Sequence, residues 1–396
     1  MSWFVLVESN TTGSGRLFCA RAREFGFRPV VLTRDPARYP YLATDNVDSQ
    51  RVDTADPAAV LAACQRLGGE VAGVTSSSEY FIGTAARVAR SLRLPHPDPV
   101  AIEACRDKPT QRSRLRAAGV PGPRSIPVRQ PAAAAATARW LGYPVVVKPA
   151  AGSGSIATRR CDDDASVEAA AATALAAGLG RRVLVEEYLA GPEYSVETFD
   201  DRVVGVTAKL LGPEPYFVEI GHDFPAAGPT AALAETALAA LRALGLGWGP
   251  AHVELRATAA GPRVVEVNPR LAGGMIPRAV QAATGIDLIA ATVARVAGGE
   301  PAIEPVHQRA SAIRFLVAEI AGRLVEVRGL AEARQVPGVL EVALTREPPR
   351  EITLRHSFED RLGYVIATGP DPAAAGQAAT AGLLALKARI VPGGAP

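Results

Sequence analysis

A chain of 396 residues has room for two or three domains of about 150 residues each, and 48% apolar against 21% charged residues is the balance of a soluble protein with buried cores. A formal charge of +3 is too small to imply a nucleic-acid or membrane partner, and no stretch approaches 18 uncharged apolar residues. The start Met1-Ser2-Trp3 has no basic segment before its apolar run, and Cys19, Cys64, Cys105 and Cys161 form no C-x-x-C pair, so reduced thiols in a cytoplasm are expected.

The run Trp3–Val7 has the pattern of a buried strand, followed by a polar turn at Asn10–Gly15, a helical stretch at 16–25 and a second strand at 29–33. Val71–Thr75 repeats the strand pattern and 80–93 the helical one. This β-then-α alternation predicts a parallel sheet covered by helices, so residues 1–105 are expected to form a Rossmann-like domain. Gly13-Ser14-Gly15 invites a dinucleotide reading, but Phe18 stands where the third glycine of G-x-G-x-x-G belongs, so a tight turn is the better account.

Pro121, Pro123, Pro127 and Pro131 mark a change of segment. Beyond them an Ala-rich helix at 132–140, a strand at 145–148, a second Ala-rich helix at 165–177 and a strand at 182–186 predict a compact α+β module. From Tyr188 onward β-rich segments alternate with helices at 231–244 and 277–298. Short strands at 310–317, 338–344 and 361–368 precede a closing helix at 372–388. The expected domains are 1–105, 106–187 and 188–396.

Four segments carry candidate chemistry. Lys148 ends a strand and leads into Gly152-Ser153-Gly154-Ser155, a loop whose backbone N–H groups can wrap phosphates. By itself such a loop is equally a plain hairpin. The segment Val185-Glu186-Glu187-Tyr188-Leu189…Glu193 is a strand edge with acids at its end, which alone reads as a surface acidic turn. Glu266 and Asn268 alternate on one strand and so share a face, and Glu254 lies on a segment that an antiparallel pairing would set beside them. Two carboxylates and an amide oxygen make a hard oxygen site suited to magnesium on a polyphosphate, and Arg270 follows within reach of a phosphoryl group or carboxylate. Last, Glu219…His222-x-x-Pro225 reads on its own as an acidic loop with a packed histidine.

In this order the four segments resemble the ATP-grasp superfamily over nearly the whole chain. The resemblance implies an α/β fold with an α+β lid: a Rossmann-like N-terminal domain, a small lid domain, and a C-terminal domain holding the metal site. It implies that Lys108 and Lys148 contact ATP phosphates and that Gly152, Ser153, Gly154 and Ser155 cover them. Glu186, Tyr188 and Leu189 match the adenine edge and Glu193 the ribose acid. Glu254, Glu266 and Asn268 match the Mg2+ ligands, with Mn2+ as the alternative ion, and Arg270 matches the arginine that steadies an acyl phosphate. Ile156-Ala157-Thr158 departs from the glycine and valine that often follow the family's loop.

Within the superfamily, Glu219, His222 and Arg270-Leu271-Ala272-Gly273-Gly274 resemble the L-amino-acid ligases, which form dipeptides. The implied activity is amide formation between amino acids through an acyl phosphate, in a natural-product pathway, by a cytoplasmic homodimer acting on small molecules. The Asp360–Tyr364 stretch is similar to the C-terminal part of biotin-carboxylase-like members. A carboxylase or a non-catalytic nucleotide-binding protein is therefore the alternative.

Overall fold

The computed structural model describes residues 1–10, 14–152 and 154–392, so Gly13 of the first turn and Ser153 of the Gly/Ser loop lie outside the described residues. The first strands are β1 (Trp3–Val7), β2 (Arg28–Thr33), β3 (Asp48–Arg51) and β4 (Val71–Thr75). They pair in parallel in the order β3-β2-β1-β4. Parallel strands need crossovers: helix Ser14–Glu24 joins β1 to β2, short helical turns at Pro36–Arg38 and Tyr41–Thr44 join β2 to β3, and helix Pro57–Gln65 carries the chain from β3 across the sheet to β4. Alternate residues of β1 bury on opposite faces. Val5 and Val7 pack with Val60 and Val88, whereas Phe4 and Leu6 pack with Phe18 and with Ile289 and Val293 from far along the chain. A helix of the C-terminal half thus closes the N-terminal sheet.

Next come β5 (Ser125–Val128), β6 (Val145–Pro149), β7 (Arg159–Cys161) and β8 (Val183–Glu187), an antiparallel sheet in the order β5-β8-β6-β7. Helices Pro131–Leu141 and Asp164–Ala176 pack on it through a core made almost wholly of Val and Ala. The second helix begins at a capping box in which Asp163 accepts from the Ser166 N–H and Ser166 Oγ accepts in return.

The remaining strands are β9 (Glu193–Phe199), β10 (Arg202–Leu211), β11 (Glu219–Phe224), β12 (Pro250–Thr258), β13 (Gly261–Asn268), β14 (Ala310–Val317), β15 (Gly322–Arg328), β16 (Val339–Leu344), β17 (Arg350–Ile352), β18 (Arg361–Gly369) and β19 (Lys387–Val391). Eight of them form one sheet, β13-β12-β9-β10-β11-β14-β18-β16, and β17-β15-β19 form a smaller one. Helix Ala231–Leu244 covers one face of the large sheet at Val253, Leu255, Val264 and Val267. Because side chains alternate, His252, Glu254, Glu266 and Asn268 are left on the opposite face.

Two helices differ from the sequence expectation. The 277–298 stretch is two helices, Ile276–Thr284 and Leu288–Val296, bent by 102°. Gly285 at φ 81° ends the first, and the Asp287 side chain caps the second by accepting from the N–H groups of Ile289 and Ala290. The closing helix stops at Ala385, and 387–391 form β19, because pairing with β15 overrides the local Ala-rich preference. Among the described residues no single helix is long and apolar enough to cross a membrane.

Candidate active site

A cleft with about 940 Å³ of empty space opens between the β5–β8 sheet and the polar face of the large sheet. Its walls include Lys108, Lys148, Gly152, Gly154, Ser155, Glu186, Tyr188, Leu189, Glu193, Glu219, Glu254, Glu266, Asn268 and Arg270. Residues separated by as many as 162 positions in sequence therefore meet in one space. His222 does not line it, being buried beneath the floor, and Ser153 lies outside the described residues.

On the side of the β5–β8 sheet, the acid at the end of β8 is not exposed as its sequence context suggested. Glu186 is only 3% exposed and sits between Lys148 Nζ at 2.6 Å and Arg112 Nε at 2.7 Å. Burial alone would raise its carboxyl, but the two cations outweigh that and hold it at about 2. Burial also draws the Lys148 ammonium below its ordinary value, against the pull of Glu186. Arg112 reaches onward to the carbonyl oxygens of Val264 and Val265, while Gln111 bonds both backbone groups of Val267. Helix Lys108–Ala117 is thereby pinned to β13, and its first residue is aimed into the cleft. Lys108 Nζ lies 3.0 Å from Glu266 and donates to Gly152 O at 2.5 Å.

The Gly/Ser loop is held at its base and crest. Gly154 has φ +71°, and a Cβ there would collide with the Phe358 ring. The segment between β10 and β11 grips the same module. Arg160 N donates to Pro215 O at 2.9 Å, Tyr188 Oη donates to Glu214 at 2.6 Å, and the Tyr216 ring stacks on His356 at 3.8 Å.

The floor is built by register. Glu254 on β12 lies opposite Glu266 on β13, and His252 opposite Asn268. Glu193 is bound by Arg256 at 3.0 Å, whose guanidinium also stands over the Phe217 ring. Glu219 and His222 are three apart and would face opposite sides of a regular strand. A β-bulge at Ile220 resets the alternation: Gly221 pairs with Leu210 and Glu219 with Leu211, so both side chains fall on the cleft face. What reads as a loop in the sequence is thus a bulged strand. Lys209 of β10 lies beneath these acids, with Nζ 2.8 Å from Glu193, 2.7 Å from Glu219 and 2.9 Å from Glu254.

Burial opposes the charges of Lys209, Glu219, His222 and His252, and it prevails only at His222. Three carboxylates raise the Lys209 ammonium well above its ordinary value, and Lys209 with Arg361 holds Glu219 well below its own. Burial takes His222 down to about 3, so it is neutral at pH 7, and among the described residues neither ring nitrogen has a hydrogen-bond partner. His252 goes the other way, to about 9, because Glu197 and Glu254 flank it and overcome burial. Arg270 is turned toward the N-terminal sheet, held by Glu79 at 2.6 Å.

Glu254 and Glu266 on facing strands, with the Asn268 amide on the same face, offer hard oxygen donors toward the cleft, which fits a magnesium-type ion. Among the described residues no cluster of three His, Cys, Asp or Glu side chains offers a competing metal site. Sequence reasoning passed over Lys209, Arg112, Arg256 and Glu79. None sits in a recognisable motif: Arg112 is one of several basic residues on its helix, and Lys209 stands out only as a lysine flanked by Ala208, Leu210 and Leu211.

Comparison with known proteins follows the same lines. The ATP-grasp domain model matches residues 141–278, and L-amino acid ligase C-terminal domain 2 matches 314–391. An uncharacterized protein of Sinorhizobium fredii, y4rH, is 37% identical over 382 residues, covering 94% of this chain and 79% of that one. The chain belongs to the ATP-grasp ligases of the L-amino acid ligase family. This ligase family forms carbon–nitrogen bonds between carboxylates and amines, and ATP-grasp enzymes use ATP with Mg2+. Human carnosine synthase 1 is 26% identical over 392 residues, which cover 89% of the ligase but only 46% of the synthase. The crystal structure of an L-amino acid ligase from Bacillus licheniformis superposes with a TM-score of 0.82 at 21% identity, over 99% of both chains.

Proposed function

We propose that the ligase joins two amino acids, or an amino acid and an amino-acid-like acid, through an acyl phosphate. The observation that carries this reading is the convergence on one cleft of a cationic wall, Lys108 and Lys148, and an acidic floor, Glu254, Glu266 and Glu219. A carboxylate is a poor electrophile, so one acid oxygen attacks the γ-phosphorus of ATP and the bond to the β-bridging oxygen breaks, releasing ADP. The amine then attacks the acyl carbon, the carbon–oxygen bond to phosphate breaks, and phosphate departs as the nitrogen loses its proton.

In this scheme Lys108, Lys148 and the N–H groups of Gly152, Gly154 and Ser155 orient the triphosphate, with Ser153 completing the loop. Tyr188 and Leu189 border the adenine, Glu186 anchors that wall through Lys148, and Glu193 receives the ribose hydroxyls. Glu254, Glu266 and Asn268 would hold Mg2+, or Mn2+ in its place, which when bound neutralises charge on the β- and γ-phosphates. Arg270 steadies the departing phosphate. Glu219 faces the substrate ammonium, and His222, kept neutral, supplies an uncharged imidazole beneath it. Closure of the Gly/Ser loop against Phe358 excludes water that would hydrolyse the intermediate.

The test is phosphate release screened over pairs of amino acids with mass spectrometry of the products. A product equal in mass to acid plus amine minus water, with one ADP and one phosphate per bond, supports the reading. ADP formation with bicarbonate and a carboxylated product would replace it with a carboxylase.

A further inference from the structure

We propose that Lys209 is a positioning residue that couples three subsites, because its single ammonium is shared among Glu193, Glu219 and Glu254 at 2.8, 2.7 and 2.9 Å. This rests on the roles proposed above, in which those acids serve the ribose, the substrate ammonium and the metal. A lysine ammonium has three N–H donors, and here each has one carboxylate oxygen to meet. The Lys209 side chain is 2% exposed and does not itself wall the cleft, so it acts only through the acids above it. Water cannot replace a cation at this depth, so one ammonium has to satisfy all three carboxylates.

Sharing makes the three acids interdependent. When one acid loses its charge, the ammonium can shift toward the other two, and the repulsion that acid exerted on them is gone. Glu219 has a second cation, Arg361 at 2.6 Å, and His222 stands 3.6 Å away. Glu254 has His252 at 3.1 Å, which is itself held by Glu197 at 3.0 Å and through it by Ser195 at 2.7 Å. Glu193 has Arg256. Each acid thus keeps a private partner and shares Lys209, the arrangement in which a change at one subsite is felt at the next. An ammonium entering beside Glu219 draws on the charge that Lys209 balances, so occupation of the amine subsite tunes the metal acid Glu254.

The experiment is calorimetric titration of ADP into the full chain, once with excess Mg2+ and once with EDTA. The ratio of the two dissociation constants reports how strongly the metal helps the nucleotide, without any turnover. In Glu219→Gln, Lys209 is released toward Glu254 and quenches it, so the benefit of Mg2+ should fall by about fivefold or more. In Lys209→Met the three acids lose their common cation, and the benefit of Mg2+ should rise. Opposite signs for the two variants, each with an intact near-ultraviolet dichroism spectrum, support the coupling if the Glu219→Gln effect is lost in the Lys209→Met background; the same effect in that background is direct charge alone and overturns it. Ratios within twofold of wild type in both, or shifts of the same sign, overturn it. If Lys209→Met does not fold, Glu219→Gln decides alone: a ratio within twofold of wild type refutes the coupling. Glu254→Gln is the control for the underlying reading. If it leaves the Mg2+ benefit unchanged, the metal assignment fails, and the coupling with it.

Discussion

Replacing Glu266 by Gln removes one charge from the cleft floor while keeping the shape of the side chain. Two energies follow and they differ in size. Glu266 pairs with Lys108 at 3.0 Å, and the two side chains are 14% and 8% exposed. Breaking a buried pair typically costs about 3–5 kcal/mol when the partner is left alone. Lys108 is not left alone, since Gly152 O accepts from the same ammonium, so the loss of stability should be nearer about 1–2 kcal/mol. The catalytic loss should be larger, because a preorganised group facing developing charge is worth about 10²–10³ in rate. Phosphate release at saturating amino acids, measured across a Mg2+ titration, should show that loss together with a raised Mg2+ requirement, while denaturant unfolding shows a protein still folded. A folded Glu266→Gln variant within tenfold of wild-type turnover at every Mg2+ concentration would sink the assignment of Glu266 to the metal.

Other outcomes follow from particular contacts. Gly154→Ala places a methyl against Phe358 on a backbone at φ +71°, so KM for ATP should rise at least tenfold, with melting nearly unchanged because the loop adds little to any core. Hydrogen exchange over residues 151–158 should slow when a non-hydrolysable ATP analogue is added, and Phe358→Ala should speed it in the free protein; equal rates in all three states would argue that the loop is a fixed hairpin. Glu186 between Arg112 and Lys148 predicts that Arg112→Met loosens the wall under Lys148, weakening ADP binding in EDTA by about tenfold; unchanged affinity would make Arg112 purely a fold residue. His222 is held neutral by burial, with a folded value of about 3 against an ordinary 6.5. Its contribution to stability is therefore present above pH 6.5 and lost as pH falls toward 3. A His222→Gln variant should show an acid limb shallower by up to about 1.4 kcal/mol per pH unit in that window, and parallel limbs would contradict the burial argument.

Much of the architecture could be read because local pattern and tertiary role agree. Three strands of the first sheet announce themselves in short Val-rich runs, whereas β3 is polar and gives no such sign, and the alternation of Glu266 and Asn268 is visible in the residues themselves. The helix at 277–298 misled because Ala, Val and Ile continue on both sides of Gly285, and only the cap at Asp287 marks a new start. β19 is hidden because its partner lies some sixty residues upstream. Lys209, Arg112 and Glu79 were illegible for a deeper reason. A buried ion pair is specified by two distant positions, and neither residue carries a sign of the other.

The bulge at Ile220 has a meaning beyond the site it shapes. It makes the identity of the side chain facing the proposed amine subsite a matter of register as well as of residue type. Shortening the segment between residues 219 and 222 by one position would restore regular alternation, and the residue now at 219 would approach the cleft from a different station on the strand. A single-codon deletion there is expected to shift the Glu219 carboxylate along the strand while the floor residues of β12 and β13 stay the same. A relative lacking the bulge is therefore best compared with this chain by strand face rather than by position in the sequence.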